Sequence, residues 1–590
     1  MKRLRKSTLF LAAALLIGTL QGCGGKDPKE EQKKFDAFVE QDFINTMESD
    51  YATMHQLMEQ PENFGVDEEQ VEVSLGARYD EETLAAGKAE RKKTIDAFGE
   101  FDRSLLNEKQ RQLYDLYAFN FAIEEKLLED RFDYYECLFS SAGGLHYALA
   151  TTFADWELRD EKDVQDLIVI LRDTKPYVDS ALDYTKRQEE KGLLMLDLES
   201  IIEHCDGILE NRENSAVLAS IYARLDALGL SAEQTQAYKE ELKAVFDESF
   251  IPAYDDIRAA MIEFQTDGDN HMEGLAQFEH GKEYYELLFQ AGIGSDRSID
   301  EIEEWMTQEF ENGFNDLYEA LMSDPEVMDQ LLGETSTGFG DYESIMEYLK
   351  GHMFADFPEI SDTKYEIIAL SEELGSDSGI AAYFNLPAFD STQPRQLRVN
   401  PLYGDVGSVS NFVTVAHEGY PGHMYQFTYA LEQNQHPYLT TLGRNQAYSE
   451  GYAIYASYQA LAYLDDVSAA YQKAYIANEE ISYAVIILAD IGIHYKGWDL
   501  ETFGDFMEEN MLSLSEEEMR AQYMQLQNNP VMFEPYYIGY LEIMELREQA
   551  ESALGDDFDE KAFHEAILAC GALPFEQIRE EISAYIDTAK

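Results

Sequence analysis

Hydrophobic side chains recur every three or four positions over most of this chain, with charged and amide side chains between them. This spacing is typical of amphipathic α-helices, each of which buries one face. Ser231 followed by Gln234 has the pattern of a capping box at one helix start. The fold is therefore predicted to be mainly α, a large multi-helix protein with helices over 28–60, 80–132, 160–191, 197–226, 231–265, 297–322, 412–431, 446–464, 467–489, 499–510, 515–525, 536–552 and 559–586.

Residues 360–410 interrupt this helical pattern. Residues 364–370 and 395–400 have the composition of β-strands and are separated by Gly, Ser, Asp and Pro. We expect a small antiparallel β-sheet here, directly before the helix predicted over 412–431. Because 590 residues exceed what one hydrophobic core usually spans, we also expect two lobes that flank a cleft.

The first residues have the form of an export signal. Four basic side chains precede the apolar run from Leu9 to Leu20, which is too short to span a bilayer. Leu20-Gln21-Gly22-Cys23 resembles a bacterial lipobox, which implies cleavage before Cys23 and lipid attachment to its thiol. We expect a signal peptide over 1–22, a lipidated tether over 23–34 and an anchor at the outer face of a bacterial membrane. A secreted protein without lipid is the alternative.

Charge argues against nucleic acid as a partner. The chain has 44 basic and 116 acidic side chains, a formal net charge of −72. Residues 1–22 hold four of the basic side chains and no acidic one, so the mature chain would carry −76. Phosphate binding needs a basic surface, which this composition can hardly provide.

The stretch His417-Glu418-Gly419-Tyr420-Pro421-Gly422-His423 places two imidazoles and a carboxylate within seven residues, and Glu450 follows downstream. Imidazole and carboxylate are ligands of catalytic zinc, which takes three protein groups and leaves a fourth position for water. We predict that His417, His423 and Glu450 bind one zinc ion, although iron, cobalt and manganese accept the same ligands. Glu418 projects about 100° away from His417 on a helix, so we predict that it is the general base.

The spacing of the two histidines requires a break in the helix. On a straight helix His423 would point about 120° away from His417. Pro421 lacks a backbone donor and Gly422 adds freedom, so we expect a kink or helix end that swings His423 back toward His417. Two simpler alternatives stay open, in which the stretch is only a turn and Glu450 only caps a helix start.

These residues also carry a resemblance to a known family. In the same order along the chain, the His417–His423 stretch and several further segments resemble the bacterial family known as domain of unknown function 885, whose members are regarded as zinc peptidases. The further segments are Gly281–Tyr285, Ala382–Phe384 to Val399-Asn400, Glu450–Ala453, Asp490–His494, and Tyr537–Gly539 with Leu546-Arg547. The resemblance implies a mainly helical, zincin-like metallohydrolase. Met424 and Tyr452 depart from the family, which often carries His and Trp there, so Met424 is left out of the expected ligands.

Three residues beyond the stretch are expected near the reaction. The tyrosine hydroxyl of Tyr537 or the guanidinium of Arg547 could stabilise an oxyanion, and Arg547 could instead bind a terminal carboxylate. Tyr537 is preferred over Tyr536 or Tyr540 on the resemblance alone. The third residue is His494. Alternatively, His494 is a histidine of the core whose hydrogen bonds are all made within the protein.

Together these features predict an exported zinc-dependent hydrolase that cleaves peptide bonds. Its helical domain is expected over 35–590, with the active-site half over about 411–590. An edge strand beside a metal site can hold an extended peptide, and Val399-Asn400 are expected to belong to or adjoin such an edge. The alternatives are a zinc amidase acting on a non-peptide or cell-wall amide, and a lipoprotein that binds a ligand without catalysis.

Overall fold

The computed structural model describes residues 26–333, 335–370, 381–443, 445–510 and 514–590. The predicted signal peptide and the lipobox Cys23 lie outside these ranges. Within the described part of the chain, no helix combines the length and the apolar character that a membrane crossing requires.

The first half of the described chain is a succession of α-helices, many of which begin with a side-chain cap. Asn107, Ser231 and Ser298 each form a capping box with the residue three positions later, which satisfies two otherwise unpaired backbone N–H groups. The capping box predicted at Ser231 is thus confirmed. The helices are α1 Pro28–Ser49, α2 Tyr51–Leu57, α3 Glu81–Phe98, α4 Glu108–Leu127, α5 Leu145–Asp155, α6 Glu161–Glu190, α7 Leu198–Glu210, α8 Ala216–Ala227, α9 Ala232–Val245, α10 Ile251–Asp267, α11 Gly281–Ile293, α12 Ile299–Ser323, α13 Val327–Leu332 and α14 Tyr342–His352.

Three short strands and a second series of helices follow. The strands are β1 Tyr365–Ala369, β2 Ala382–Asn385 and β3 Arg395–Val399. The helices are α15 Val409–Glu418, α16 His423–Glu432, α17 Gln446–Leu461, α18 Ala469–Ile491, α19 Leu500–Glu509, α20 Glu516–Asn528, α21 Glu534–Leu554, α22 Glu560–Cys570 and α23 Phe575–Ala589. The protein is therefore mainly α, as predicted.

Several predicted boundaries are wrong, and the helices predicted over 28–60 and 197–226 are each two helices. Residues 28–34 of the expected tether are the first turns of α1, where buried Glu31 accepts the backbone N–H of Asp102 at 2.9 Å. The helix predicted over 80–132 is two helices, because the chain leaves the helix at Gly99 and the capping box of Asn107 starts a new one. A hydrophobic period that continues across such a loop does not reveal the loop.

The sheet is mixed, with strand order β1-β3-β2. β2 pairs with β3 antiparallel, as expected, but β1 pairs with β3 parallel. Because β3 is central, Val399 does not lie at an edge, and the N–H of Asn400 donates to the carbonyl of Ala381 at 2.8 Å. Val399 and Asn400 therefore adjoin the edge, which β2 forms, but do not belong to it.

One continuous hydrophobic core replaces the two lobes that chain length suggested. A single cluster of buried side chains extends from Phe35 in α1 to Ile586 in α23. Helices from the two halves of the chain pack together, since α11 contacts both α4 and α21. The active-site half is therefore not a separate body.

α17 and α21 approach each other closely. A Cβ atom on Gly451 would lie 2.1 Å from the carbonyl carbon of Gly539, and one on Gly539 would lie 1.9 Å from the carbonyl oxygen of Ala447. Only glycine fits at both positions. This crossing fixes α21 beside the start of α17, which carries Glu450.

Candidate metal centre

The helix break predicted at Pro421 and Gly422 is present. α15 ends at Glu418, and α16 begins at His423 after a turn of four residues. Within the turn the N–H of Gly422 donates to the carbonyl of Ala416 at 2.9 Å, and the N–H of Tyr425 donates to that of Gly419 at 3.2 Å. The turn thus separates the two helices while keeping its backbone hydrogen-bonded.

Close packing around the turn explains its glycines. A Cβ atom on Gly422 would lie 1.8 Å from the carbonyl oxygen of His417, and one on Gly419 would lie 2.5 Å from the sulfur of Met346. Tyr452, which is fully buried in α17, donates its hydroxyl to the carbonyl of Pro421 at 3.2 Å. The tyrosine that departs from the family pattern therefore holds the turn against α17.

The structure brings the three predicted ligands together. The Oε2 atom of Glu450 lies 3.1 Å from Nε2 of His423 and 3.5 Å from Nε2 of His417. One ligand atom from each residue lies within 4.8 Å of the other two. Zinc bonds of about 2.0–2.2 Å at tetrahedral angles put neighbouring ligand atoms about 3.3–3.6 Å apart. The donor set suits one zinc ion, and the two separations from Glu450 are close to these values.

The cluster is largely removed from solvent. The side chains of His417, His423 and Glu450 are 12 %, 15 % and 12 % exposed. Burial would by itself raise the pKa of Glu450, but the two imidazoles beside its carboxylate lower that pKa well below the ordinary glutamate value. Glu450 is thus ionised, as a ligand to a cation must be.

Glu418 lies beside the cluster and is held by the sheet. Its Oε1 atom is 3.8 Å from Nε2 of His417, and its Oε2 atom accepts the backbone N–H of Phe384 at 2.9 Å. That N–H belongs to the open edge of β2. Composition did not reveal β2 as a strand, although the family resemblance had pointed to its residues.

A stack of aromatic rings leads from the cluster into the core. The ring of Tyr536 stacks on His417 with centroids 6.2 Å apart, and Tyr483 of α18 stacks on Tyr536 at 6.5 Å. Tyr536 and Gly539 are three residues apart, so they share the face of α21 that meets α17. Tyr536 also lines the cavity beside the cluster, as do Tyr383 and Tyr448, and it is the one of these three whose ring stacks on His417 in the described chain.

Tyr537, which the resemblance favours, does not line the cavity. Its side chain is fully buried, its ring stacks on Tyr483 at 5.5 Å, and its hydroxyl has no hydrogen-bond partner among the described residues. One position along a helix turns the side chain by about 100°, away from the face that meets α17. A sequence signal for Tyr536 existed, namely its spacing from Gly539.

His494 and Arg547 are not brought into the cluster. Nδ1 of His494 accepts the N–H of Leu275 at 3.1 Å, and its Nε2 lies 3.0 Å from the carbonyl of Leu526. It is a satisfied core histidine. The guanidinium of Arg547 donates to the hydroxyl of Tyr455 at 2.6 Å and pairs with Glu551 and Glu560, each at 2.8 Å. It is occupied rather than poised for an oxyanion or a terminal carboxylate.

A cavity of about 330 Å³ opens beside the cluster. Glu418, His423 and Glu450 line one side of it, and other lining residues come from β2, α16, the π-helical turn Tyr438–Leu442, α17, α21 and the end of α22. Ligand pockets usually have about 300–1,000 Å³, so this cavity accommodates a small group or one side chain.

Comparisons with known proteins agree on the family and the fold. The family described as "Bacterial protein of unknown function (DUF885)" matches residues 63–582. No curated protein matches the chain. A crystal structure described as that of a "putative lipoprotein" from Colwellia psychrerythraea is similar, with a TM-score of 0.81 and 18% identity over 95% of this chain and 99% of that one. A structure described as that of a "putative lipoprotein of unknown function" from Shewanella oneidensis has a TM-score of 0.63 and 15% identity over 94% of this chain and 99% of that one. These two likenesses concern the fold.

Proposed function

The chain belongs to the DUF885 family of bacterial proteins, and we propose that it is a zinc-dependent hydrolase that cleaves a peptide or another amide bond. One observation carries the proposal. His417, His423 and Glu450 present three ligand atoms within 4.8 Å of one another, with Glu418 beside them and a cavity in front. A surface turn would need no such convergence of buried groups.

The zinc ion would be held by His417, His423 and Glu450. It would supply Lewis acidity, which lowers the pKa of water and polarises a carbonyl. With three protein ligands, such an ion would keep a fourth position for water, as in catalytic rather than structural zinc sites.

Glu418 is the proposed general base. Its carboxylate takes a proton from the attacking water, whose oxygen forms a bond to the carbonyl carbon, and returns that proton to the leaving nitrogen as the C–N bond breaks. The N–H of Phe384 holds Oε2, which leaves Oε1 available on the side of His417. We assign to the hydroxyl of Tyr536, instead of that of Tyr537, the task of stabilising the carbonyl oxygen of the substrate as it gains negative charge.

The substrate is proposed to lie along β2. This strand is at the edge of the sheet, and Tyr383, Phe384 and Leu386 in and just after it line the cavity. An extended peptide can add to such an edge by backbone hydrogen bonds. A short non-peptide amide fits the same small cavity, so peptide libraries and cell-wall fragments should be assayed side by side.

The location is proposed to be the outer face of a bacterial membrane, with lipid on Cys23. The lipobox-like residues 20–23 support this, and both similar solved structures are described as those of a "putative lipoprotein". Replacing Cys23 with Ala should move the protein from the membrane fraction to the soluble fraction.

A conservative substitution tests the reaction. Glu418→Gln should keep its zinc while lowering kcat by about 10²-fold or more, the usual scale for losing a general base. Glu359→Gln, which changes an exposed glutamate with no part in the site, is the control. Full activity of Glu418→Gln on a verified substrate would refute the assignment.

A further inference from the structure

The cavity beside the cluster has a mixed lining, in which a group of apolar side chains forms one end and Gln426, Gln435, Thr440, Tyr448 and Ser449 add polar groups. The end is formed by Phe427 and Ala430 of α16, Leu439, and Leu568 and Ala572 around the end of α22. All five are at least nine-tenths buried. These side chains meet no hydrogen-bonding need of a substrate, so they favour an apolar group.

The apolar end is built before any ligand arrives. The N–H of Ala572 donates to the carbonyl of Leu439 at 2.8 Å, and the amide of Gln435 donates to the carbonyl of Leu568 at 2.8 Å. Gly571 has φ +63°, and a Cβ there would lie 3.3 Å from that of Leu439. These contacts fix the positions of the cavity walls, so no residue must move before an apolar group can enter the cavity.

Charge in the cavity disfavours an anionic group at its apolar end. Apart from tyrosines, its ionisable lining residues in the described chain are Glu418, His423 and Glu450, with no lysine or arginine among them. The guanidinium of Arg395, which does not line the cavity, lies 5.9 Å from the ring centre of Phe427. A carboxylate at the apolar end would lose its hydration without a lining lysine or arginine to pair with.

From this arrangement we infer that the cavity is a specificity pocket for a neutral, apolar side chain next to the scissile amide. The position of the pocket next to a cleaved bond rests on the proposed hydrolase activity. The selection of a side chain does not, because it can be measured by binding alone. It names the substrate class as amides of leucine-like or phenylalanine-like residues, not of acidic residues or glycine.

Binding of capped amino acids tests the pocket directly. The zinc-loaded protein is titrated with N-acetyl-leucine amide and N-acetyl-glycine amide, and the first should bind about tenfold tighter or more, as filling an apolar pocket does. Equal affinities would overturn the inference. Selective binding without any hydrolysis would reject the proposed reaction but retain the pocket, whereas hydrolysis without selectivity would do the reverse.

Filling the pocket gives a matched pair of variants. Ala430→Phe places a ring in the cavity and should remove the preference for the leucine amide. Leu431→Phe changes the next residue of α16, which does not line the cavity, and should retain the preference. An unchanged preference in folded Ala430→Phe would contradict the inference.

Adding a charge gives a second pair that leaves the apolar end intact. Thr440 lines the cavity and is only half-buried, whereas Thr441 does not line it. Thr440→Lys should improve binding of N-acetyl-glutamate amide by about tenfold, and Thr441→Lys should not. Identical behaviour of these two variants would likewise count against the pocket.

Discussion

At the scale of single residues, adjacent side chains take different tasks because a helix points them in different directions. Tyr536 lies against His417 and the cavity, while Tyr537 is sealed beneath Tyr483. Glu418 and His417 also have different partners, because the carboxylate of Glu418 is held by the sheet whereas the imidazole of His417 faces Glu450. Residue type alone does not distinguish the members of either pair, and only the crossing of α21 with α17 distinguishes the two tyrosines.

The two tyrosines give a matched test. Tyr536→Phe should lower kcat by about 10²-fold, since removing one donor to a developing oxyanion has this effect, and should leave zinc content unchanged. Tyr537→Phe removes a buried hydroxyl that has no partner in the described chain, so it should retain activity and stability. Steady-state kinetics of both variants decide, and equal activities would remove Tyr536 from the mechanism.

At the scale of elements, the site depends on a turn between two helices and on one helix crossing. The turn could be predicted from the sequence, because Pro421 and Gly422 act locally on the backbone. The arrival of Glu450 could not, because it depends on how α17 packs against α21 through Gly451 and Gly539. The same holds for the sheet, where composition indicated two strands but not that β1 lies parallel to β3.

Filling the turn should damage the site. Gly422→Ala forces a methyl group against the carbonyl of His417, so it should cost about 1–3 kcal/mol of unfolding free energy and lower zinc content. Gly207→Ala within α7, where a Cβ meets nothing within 4 Å, should instead stabilise by about 0.5–1 kcal/mol. Denaturant unfolding and metal analysis of both variants give the comparison. A harmless Gly422→Ala would contradict the close packing of the turn.

At the scale of the whole molecule, one core buries acidic groups far from the solvent. Glu534, at the start of α21, is fully buried and faces Asp490, which accepts the hydroxyl of Tyr285 at 2.7 Å. Burial, together with the charge and hydrogen bonding of Asp490, raises the pKa of Glu534 well above its ordinary value. The folded protein therefore keeps a proton here that the unfolded chain releases.

This proton makes stability depend on pH. A carboxyl with a raised pKa in the folded state stabilises fully below the unfolded pKa of about 4.3 and loses that contribution as pH rises, by at most about 1.4 kcal/mol per unit. Glu534→Gln should remove the loss, so its unfolding free energy relative to the wild type should grow between pH 5 and pH 8, about 1–4 units above that unfolded pKa. Glu548→Gln, an exposed position on the same helix, is the control. A difference that stays constant with pH would show that Glu534 is not protonated.

Zinc occupancy of the His417–His423–Glu450 cluster tests the central claim most directly. Diffraction data collected at the zinc absorption edge, with metal content measured on the same protein, should show one zinc ion bonded to His417, His423 and Glu450. His423→Ala should lose it, while His352→Ala, an exposed histidine at the end of α14, should retain it. A protein that takes up no zinc, or holds it elsewhere, would contradict the account and favour a lipoprotein that binds without catalysis.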